Sequence, residues 1–163
     1  EVKKSGLRAV IAPNMAKQIV GFQAMMKWAA EEFPGLFTGY KLDVVESHQV
    51  TKADTSGTAK AVVASMNQMG LRESINEARL IRTVEEQRQM GIPEEFLSGH
   101  AYHTYNIDSD DGRVHFAFEH NVQGRSVYGE GTADAVGFLA HKASSEGQNL
   151  YDMIDVLKSG DMS

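Results

Sequence analysis

The chain has 163 residues, 42% of them hydrophobic and 23% charged, which suits a globular domain with a sizeable core. Its net charge of −6 and the lack of any basic run argue against a general nucleic-acid binder, which needs clustered Lys and Arg to neutralise phosphates. Without cysteine there is neither disulfide nor thiolate metal site, and no apolar stretch approaches membrane-spanning length.

Leu7 to Ile11 reads as a short strand stopped at Ala12-Pro13-Asn14. Asn14 then caps a helix over about residues 15 to 32, in which Met15, Ile19, Phe22, Met26, Ala29 and Phe33 recur on one face. The methionines of this helix read as core filling, the ordinary use of a flexible thioether. Tyr40 to His48 reads as a strand with Tyr40, Leu42, Val44, Glu46 and His48 on one side, so His48 stands where the strand gives way to a loop. Residues 57 to 69 read as a helix with Val62, Val63, Met66 and Met69 inward and Gly70 as its stop. In Leu71 to Ser98 the pattern is weaker, with a short strand over 80 to 84 and a helical turn over 85 to 90. Gly99 to Ile107 and Arg113 to Val122 alternate as strands around the turn Asp108-Ser-Asp-Asp-Gly112. Thr132 to Ser144 reads as a helix, and Leu150, Met153, Ile154 and Leu157 form a last short helical stripe. The expected class is α+β, a mixed or antiparallel sheet of about four strands with helices on one side.

The chemistry concentrates in residues 46 to 60. His48 and Lys52 both move protons, and Ser56 is a good N-cap for the helix that follows. Capping should leave the amides of Gly57, Thr58 and Ala59 free at the positive end of a helix dipole, where a carboxylate binds. A lone histidine is more often structural, and most lysines are solvated surface charges. Here the two stand in one short loop beside the anion cradle, which favours an active site for a small carboxylated molecule. Arg125 can clamp a second carboxylate through its planar fork, or serve equally well in a structural ion pair. His100, His103, His115 and His120 raise a metal question. His100 and His103 would face opposite sides of a strand, as would His115 and His120, and no carboxylate cluster accompanies them, so no metal site is read.

Glu46-x-His48-x-x-x-Lys52-x-Asp54 followed by Ser56-Gly-Thr-Ala59 resembles the signature of the dihydrodipicolinate reductase family. Bacterial members carry two adjacent histidines and one more residue before the Ser-Gly-Thr. Gln49 in place of the second histidine and the shorter spacer are similar to the plant-type branch. Ile11-Ala-Pro-Asn-Met15, Leu97-Ser-Gly-His-Ala-Tyr-His103, Phe118-Glu-His-Asn-Val-Gln-Gly-Arg-Ser126 and Tyr151-Asp-Met-Ile-Asp-Val-Leu157 agree with it, in order along the chain.

The resemblance implies reduction of 4-hydroxy-tetrahydrodipicolinate to tetrahydrodipicolinate with NADPH or NADH, on the diaminopimelate route to lysine. His48 and Lys52 would be the acid/base pair, and Gln49, Ser56, Gly57, Thr58 and Arg125 would bind the dicarboxylate substrate. Gln cannot carry charge, which puts proton transfer at position 49 in doubt. Ala12, Pro13, Asn14 and Met15 match the segment that touches the nicotinamide end of the cofactor. A glycine-rich dinucleotide fingerprint is absent from these residues, so the chain is expected to be the C-terminal part of a longer reductase and inactive alone. Residues 1–14 would end the nucleotide-binding domain, 15–125 would bind substrate and build a homo-oligomer, most simply a tetramer, through strand faces carrying Tyr105, Phe116 and Phe118, and 126–163 would return to the nucleotide-binding domain. Plastid stroma is implied for a plant or algal source, and cytoplasm otherwise. The rival reading is a non-enzymatic dicarboxylate-binding or scaffold module, for which the upstream sequence is the discriminator.

Overall fold

The computed structural model describes residues 2–72, 77–142 and 148–160. The elements are α1 (Val2–Ser5), β1 (Ala9–Val10), α2 (Lys17–Glu32), β2 (Tyr40–His48), α3 (Gly57–Gln68), β3 (Arg79–Ile81), α4 (Val84–Gln89), a 3-10 turn (Glu94–Phe96), β4 (His100–Ser109), β5 (His115–Gln123), α5 (Ser126–Lys142), β6 (Leu150–Tyr151) and α6 (Met153–Ser159). They form two compact units, Met25–Arg125 on one hand and Glu1–Ala24 with Ser126–Ser163 on the other, and the first division falls within α2.

The unit Met25–Arg125 is built on a mixed sheet in the order β3-β2-β4-β5. β2 and β3 are parallel, whereas β2–β4 and β4–β5 are antiparallel. The expected α+β class holds. Residue period fixes the faces: Leu42, Val44, Glu46 and His48 share one side with Tyr105, His103, Phe118 and His120 of the paired strands. α3 starts over this side, because Ser56 at its N-terminus bonds Glu46 and His103. Leu42, Val44, Tyr105 and Ile107 are buried here, as are Ala59, Val62, Val63 and Met66 of α3. Burying a Leu, Ile or Val side chain contributes roughly 1.5–3 kcal/mol, so this layer dominates the stability of the unit. The opposite side is exposed at Lys41, Asp43, His115, Ala117, Glu119 and Asn121. The 109–112 turn closes β4 and β5 with Ser109 N–H donating to the Val114 carbonyl at 2.9 Å, and Gly112 takes the positive φ of +68° that the turn needs.

The other unit pairs β1 with β6 in parallel, Ala9 with Leu150 and Val10 with Tyr151. Its core is Val20, Ala135, Phe138, Met153 and Val156, with Val10, Ala12, Met15, Leu139 and Tyr151 packed against them. Lys17 Nζ meets Asp134 Oδ2 at 2.6 Å, with side chains only 11% and 3% exposed. α6 is closed by a capping box, in which the Asp152 side chain accepts from Ile154 and Asp155 N–H while Asp155 accepts from Asp152 N–H.

Four sequence expectations change. Met25 and Phe33 are 60% and 50% exposed, so the apolar residues of α2 are not all core. α5 begins at Ser126 rather than Thr132, its first turns holding two glycines, Gly129 and Gly131, that weaken a helical signal; the expected end at Ser144 lies outside the described residues. Leu150 belongs to a strand rather than to the last helix, which a two-residue pairing partner distant in sequence decides. Tyr105, expected as part of an association surface, is fully buried in its own unit.

Gly131 marks the tightest contact. A Cβ there would stand 1.7 Å from the Met15 carbonyl oxygen, so α5 reaches that backbone only because the side chain is a hydrogen. Gly137, in the same helix, has nothing within 4 Å of a Cβ. Gly131→Ala should therefore destabilise the protein by about 1–3 kcal/mol or more. Gly137→Ala should be neutral or stabilising by up to about 1 kcal/mol. Urea unfolding of both variants checks the pair, and equal midpoints would refute the close approach.

Candidate active site

Strand pairing gathers the site at one end of the sheet. β2 ends at His48 opposite Ala101, β4 starts at His100 opposite Gln123, and β3 ends at Ile81 beside Ser47. The residues that follow each strand end, Gln49 to Ser56, Arg82 and Arg125, issue from that end. The sequence-expected residues His48, Gln49, Lys52, Ser56, Gly57 and Thr58 are consecutive along this route. Ala12, Pro13, Asn14 and Met15 belong to the other unit.

Glu46 is the centre. Its side chain is fully buried, and donors surround it. Ser56 N–H donates to Oε2 at 2.8 Å, the Arg82 guanidinium donates to Oε1, and His103 Nε2 lies 3.4 Å from Oε2. Burial alone would raise this carboxyl. The His103, Ser56 and Arg82 donors more than offset it and hold Glu46 at about 2, so it is ionised at any ordinary pH.

His48 is 7% exposed. Its Nδ1 stands 3.1 Å from the His100 carbonyl, which can only accept, so Nδ1 carries the proton. Nε2 then holds the lone pair of the neutral ring. Among the described residues it has no hydrogen-bond partner, and it lies 3.8 Å from Glu46 Oε1. Burial, with His103, Arg82 and Lys52 nearby and Glu46 opposing them, brings His48 down to about 4. At neutral pH this ring is a proton acceptor. Gln87, wholly buried on α4, donates Nε2 to the His48 carbonyl at 2.8 Å.

The loop after His48 turns tightly, with Lys52 N–H donating to the Gln49 carbonyl at 2.9 Å. Gln49 and Lys52 are half-buried. Ser56 caps α3 as expected, its Oγ accepting from Ala59 N–H at 3.0 Å and standing 2.9 Å from His103 Nε2. The expectation that Ala59 offers a free amide is thus corrected: the cap consumes it. Ser56 has both its amide and its hydroxyl engaged inside the protein, so it holds the cradle in place, and Gly57 and Thr58 present the first helical amides. Gly57 is exposed, and a Cβ there would meet nothing within 4 Å, which leaves open space beside the cradle. Arg125 is exposed, and among the described residues it makes no ion pair.

Sequence reasoning missed Arg82, His103 and Gln87. Glu46 stood in the motif and on His48's face, but Arg82 follows β3 and His103 lies on β4, and neither carries a local signal. Sequence reasoning did not anticipate that one carboxylate would meet two of the histidines. Glu46, His48 and His103 offer ligand atoms within 4.8 Å of one another. That donor set nevertheless does not suit a cation, because both Glu46 oxygens already accept N–H donors and one of those donors is a guanidinium. His100 faces the other side of the sheet, Nδ1 donating to the Phe96 carbonyl at 3.0 Å and Nε2 2.9 Å from Ser47 Oγ, which fits a structural pin for the 96–99 turn. His120 stacks on His103 with centroids 4.6 Å apart, and burial with His103 nearby brings it down to about 4.

The segment Ala12–Met15 follows the C-terminal end of a parallel strand pair, with Ile11 N–H still donating to the Tyr151 carbonyl at 2.8 Å. Asn14 Oδ1 accepts from Ala16 N–H at 2.8 Å and fixes the turn into α2.

Residues 19–157 match the family model described as dihydrodipicolinate reductase, C-terminus. The chain is 53% identical over 164 residues to the probable 4-hydroxy-tetrahydrodipicolinate reductase 1, chloroplastic, of Oryza sativa subsp. japonica, covering 99% of this chain and 48% of that protein. It is 51% identical over 163 residues to 4-hydroxy-tetrahydrodipicolinate reductase 1, chloroplastic, of Arabidopsis thaliana, with 99% and 47% covered. The chain thus spans about half the length of these relatives. Among solved structures, a dipicolinate-bound dihydrodipicolinate reductase from Paenisporosarcina sp. TG-14 aligns with a TM-score of 0.56 at 17% identity, covering 93% of this chain and 55% of that one, a likeness of fold.

The buried groups set a pH dependence. Unfolded histidine binds a proton below about pH 6.5, whereas His48 and His120 hold out to about 4. Between those values the unfolded state binds more protons, so stability falls as pH drops through that window. Glu46, low in the folded protein, continues the loss from its ordinary range down to about 2. Each group contributes a slope of about 1 kcal/mol per pH unit within its window. Urea unfolding of wild type and His120→Asn between pH 7 and 4 checks this. The variant should show a shallower slope, and a flat wild-type profile would contradict it.

Proposed function

Because this chain belongs to the dihydrodipicolinate reductase family, we propose that it is the substrate-binding and oligomerisation part of a plant-type reductase that converts 4-hydroxy-tetrahydrodipicolinate to tetrahydrodipicolinate in lysine biosynthesis. The observation that carries this reading is the continuous run from the unpaired Nε2 of buried His48, through Lys52, to the capped start of α3 at Gly57. It sets a base, an acid and an anion cradle in succession.

The nicotinamide cofactor, NADPH or NADH, supplies the hydride when bound, and Ala12 to Met15 would hold its reactive end. The chain's own residues do the rest. The amides of Gly57 and Thr58, with the Thr58 hydroxyl, orient one substrate carboxylate, and Gln49 donates its side-chain amide to the same ligand. Arg125 takes the second carboxylate. Lys52 delivers a proton to the ring nitrogen. His48, neutral with Nε2 open, accepts a ring proton and returns it to the departing 4-hydroxyl, which leaves as water, and the incoming dicarboxylate raises its basicity by offsetting the positive charge of Arg82 and Lys52. Orientation and charge complementarity are the protein's contribution. The relatives named chloroplastic support a plastid location for a plant source.

The same reading includes a homotetramer. Its support is the exposed sheet face carrying Lys41, Asp43, Ala117, Glu119 and Asn121, opposite the face that α3 begins over. Sedimentation of the full-length protein should give a tetramer, and Ala117→Arg should shift it to smaller species. A stable wild-type monomer would remove this part of the proposal.

In the full-length protein, Lys52→Ala or His48→Ala should lower kcat by roughly 10²- to 10⁴-fold with little change in cofactor affinity. Near-normal kcat in either variant would withdraw that residue's role. Pyridine-2,6-dicarboxylate, a flat mimic of the substrate, separates binding from chemistry. Calorimetry should show that Gly57→Val abolishes its binding, because the new side chain fills the space beside the amides. Lys52→Ala should weaken it less. Equal affinity in wild type and both variants would move the dicarboxylate elsewhere.

A further inference from the structure

Lys52 lies in an irregular loop between β2 and α3, and half-buried loops drift unless something holds their backbone. Here the anchors come from a different part of the chain. Arg82, the residue after β3, donates Nε to the Lys52 carbonyl at 2.8 Å. It donates Nη1 to the Glu46 and Ile81 carbonyls at 3.1 and 3.0 Å, and Nη2 to the Glu46 carboxylate. Glu46 in turn accepts Ser56 N–H, at the far end of the same loop. One guanidinium therefore ties the backbone of the proton carrier to the carboxylate that seats the anion cradle.

We infer that Arg82 is a positioning residue for the reduction: it fixes the Lys52 backbone, and so the point at which the Lys52 ammonium is delivered. This rests on the reading of Lys52 as the acid. The geometry demands arginine. Three nitrogens of a rigid planar fork reach four acceptors at once, and a lysine ammonium is a single point that cannot span them. Loss of the guanidinium has a directional effect. Glu46 keeps Ser56 N–H and His103, so the cradle stays seated. The Lys52 carbonyl loses its donor, and the loop is released between its remaining anchors at His48 and Ser56. Turnover should suffer more than dicarboxylate binding, because a misplacement of about 1 Å in a reacting group costs up to about 10²-fold in rate.

The test uses the full-length reductase with Arg82→Gln and Arg82→Lys, the second keeping the positive charge beside buried Glu46 so that a folded variant is available. Hydrogen exchange of the peptide covering residues 49–55 should be about tenfold faster in both, while β2 and β4 peptides stay protected. kcat should fall about 10- to 100-fold. KM and the pyridine-2,6-dicarboxylate dissociation constant should stay within about threefold, with full binding stoichiometry. Unchanged exchange in 49–55 overturns the inference, and so does faster exchange with normal kcat. Loss of protection across the sheet together with lost binding sites would assign Arg82 to folding and overturn it as well. A wild-type reductase that folds but does not turn over the substrate refutes the functional reading instead, and the exchange result still judges the clamp.

Discussion

A carboxylate removed from water is tolerable only where donors replace the water, and Glu46 obliges the fold to bring those donors together. They come from three places that the chain order keeps apart: the start of α3, the residue after β3, and the middle of β4. Removing one partner of such a buried pair costs about 3–5 kcal/mol, because it leaves an uncompensated charge inside the protein. The crossing of these elements at one end of the sheet is therefore enforced by electrostatics as well as by the apolar layer beneath α3. Replacing the whole cluster by apolar residues would serve stability equally well. Its retention makes sense as a device that specifies where a loop and a helix start must lie.

The cluster divides labour between ionised and neutral groups a few ångströms apart. Glu46 is kept charged by N–H donors, whereas His48 is kept neutral by burial and neighbouring positive charge, with its proton committed to a carbonyl. A carboxylate held at about 2 by its donors is a poor base near neutral pH. The open lone pair on His48 can accept a proton. Proximity alone would have suggested the reverse, and only the hydrogen-bond inventory separates the roles.

Much of this was legible in the sequence where the signal is local. The period-two pattern of Tyr40 to His48, the serine cap before Gly57 and the Asp-Gly turn before Arg113 each carry their structure within a few residues, and the family signature pointed to His48 and Lys52. What was not legible depends on pairing between distant segments. Arg82 sits in a stretch with weak periodicity, and nothing beside it announces that it will meet Glu46. Tyr105 looked like part of an association surface because its face was known but not what covers it. Ala59 looked like a donor because capping geometry decides which amide the serine consumes, and residue type does not.

The pairing of β1 with β6 has a consequence for how the chain must assemble. Ala9 meets Leu150 only after the segment between them has been looped back, so this pairing spans the longest sequence separation among the described strand pairs. The intervening unit, Met25–Arg125, combines a hairpin between β4 and β5 and the β2-α3-β3 crossover with a β2–β4 pairing of intermediate span. Its early collapse replaces a long floppy loop by a compact insert and lowers the closure entropy that the two ends must meet. The segment that carries His48 and Lys52 can thus settle on its own pairings, whereas the segment that carries Ala12 to Met15 depends on a strand encoded far downstream.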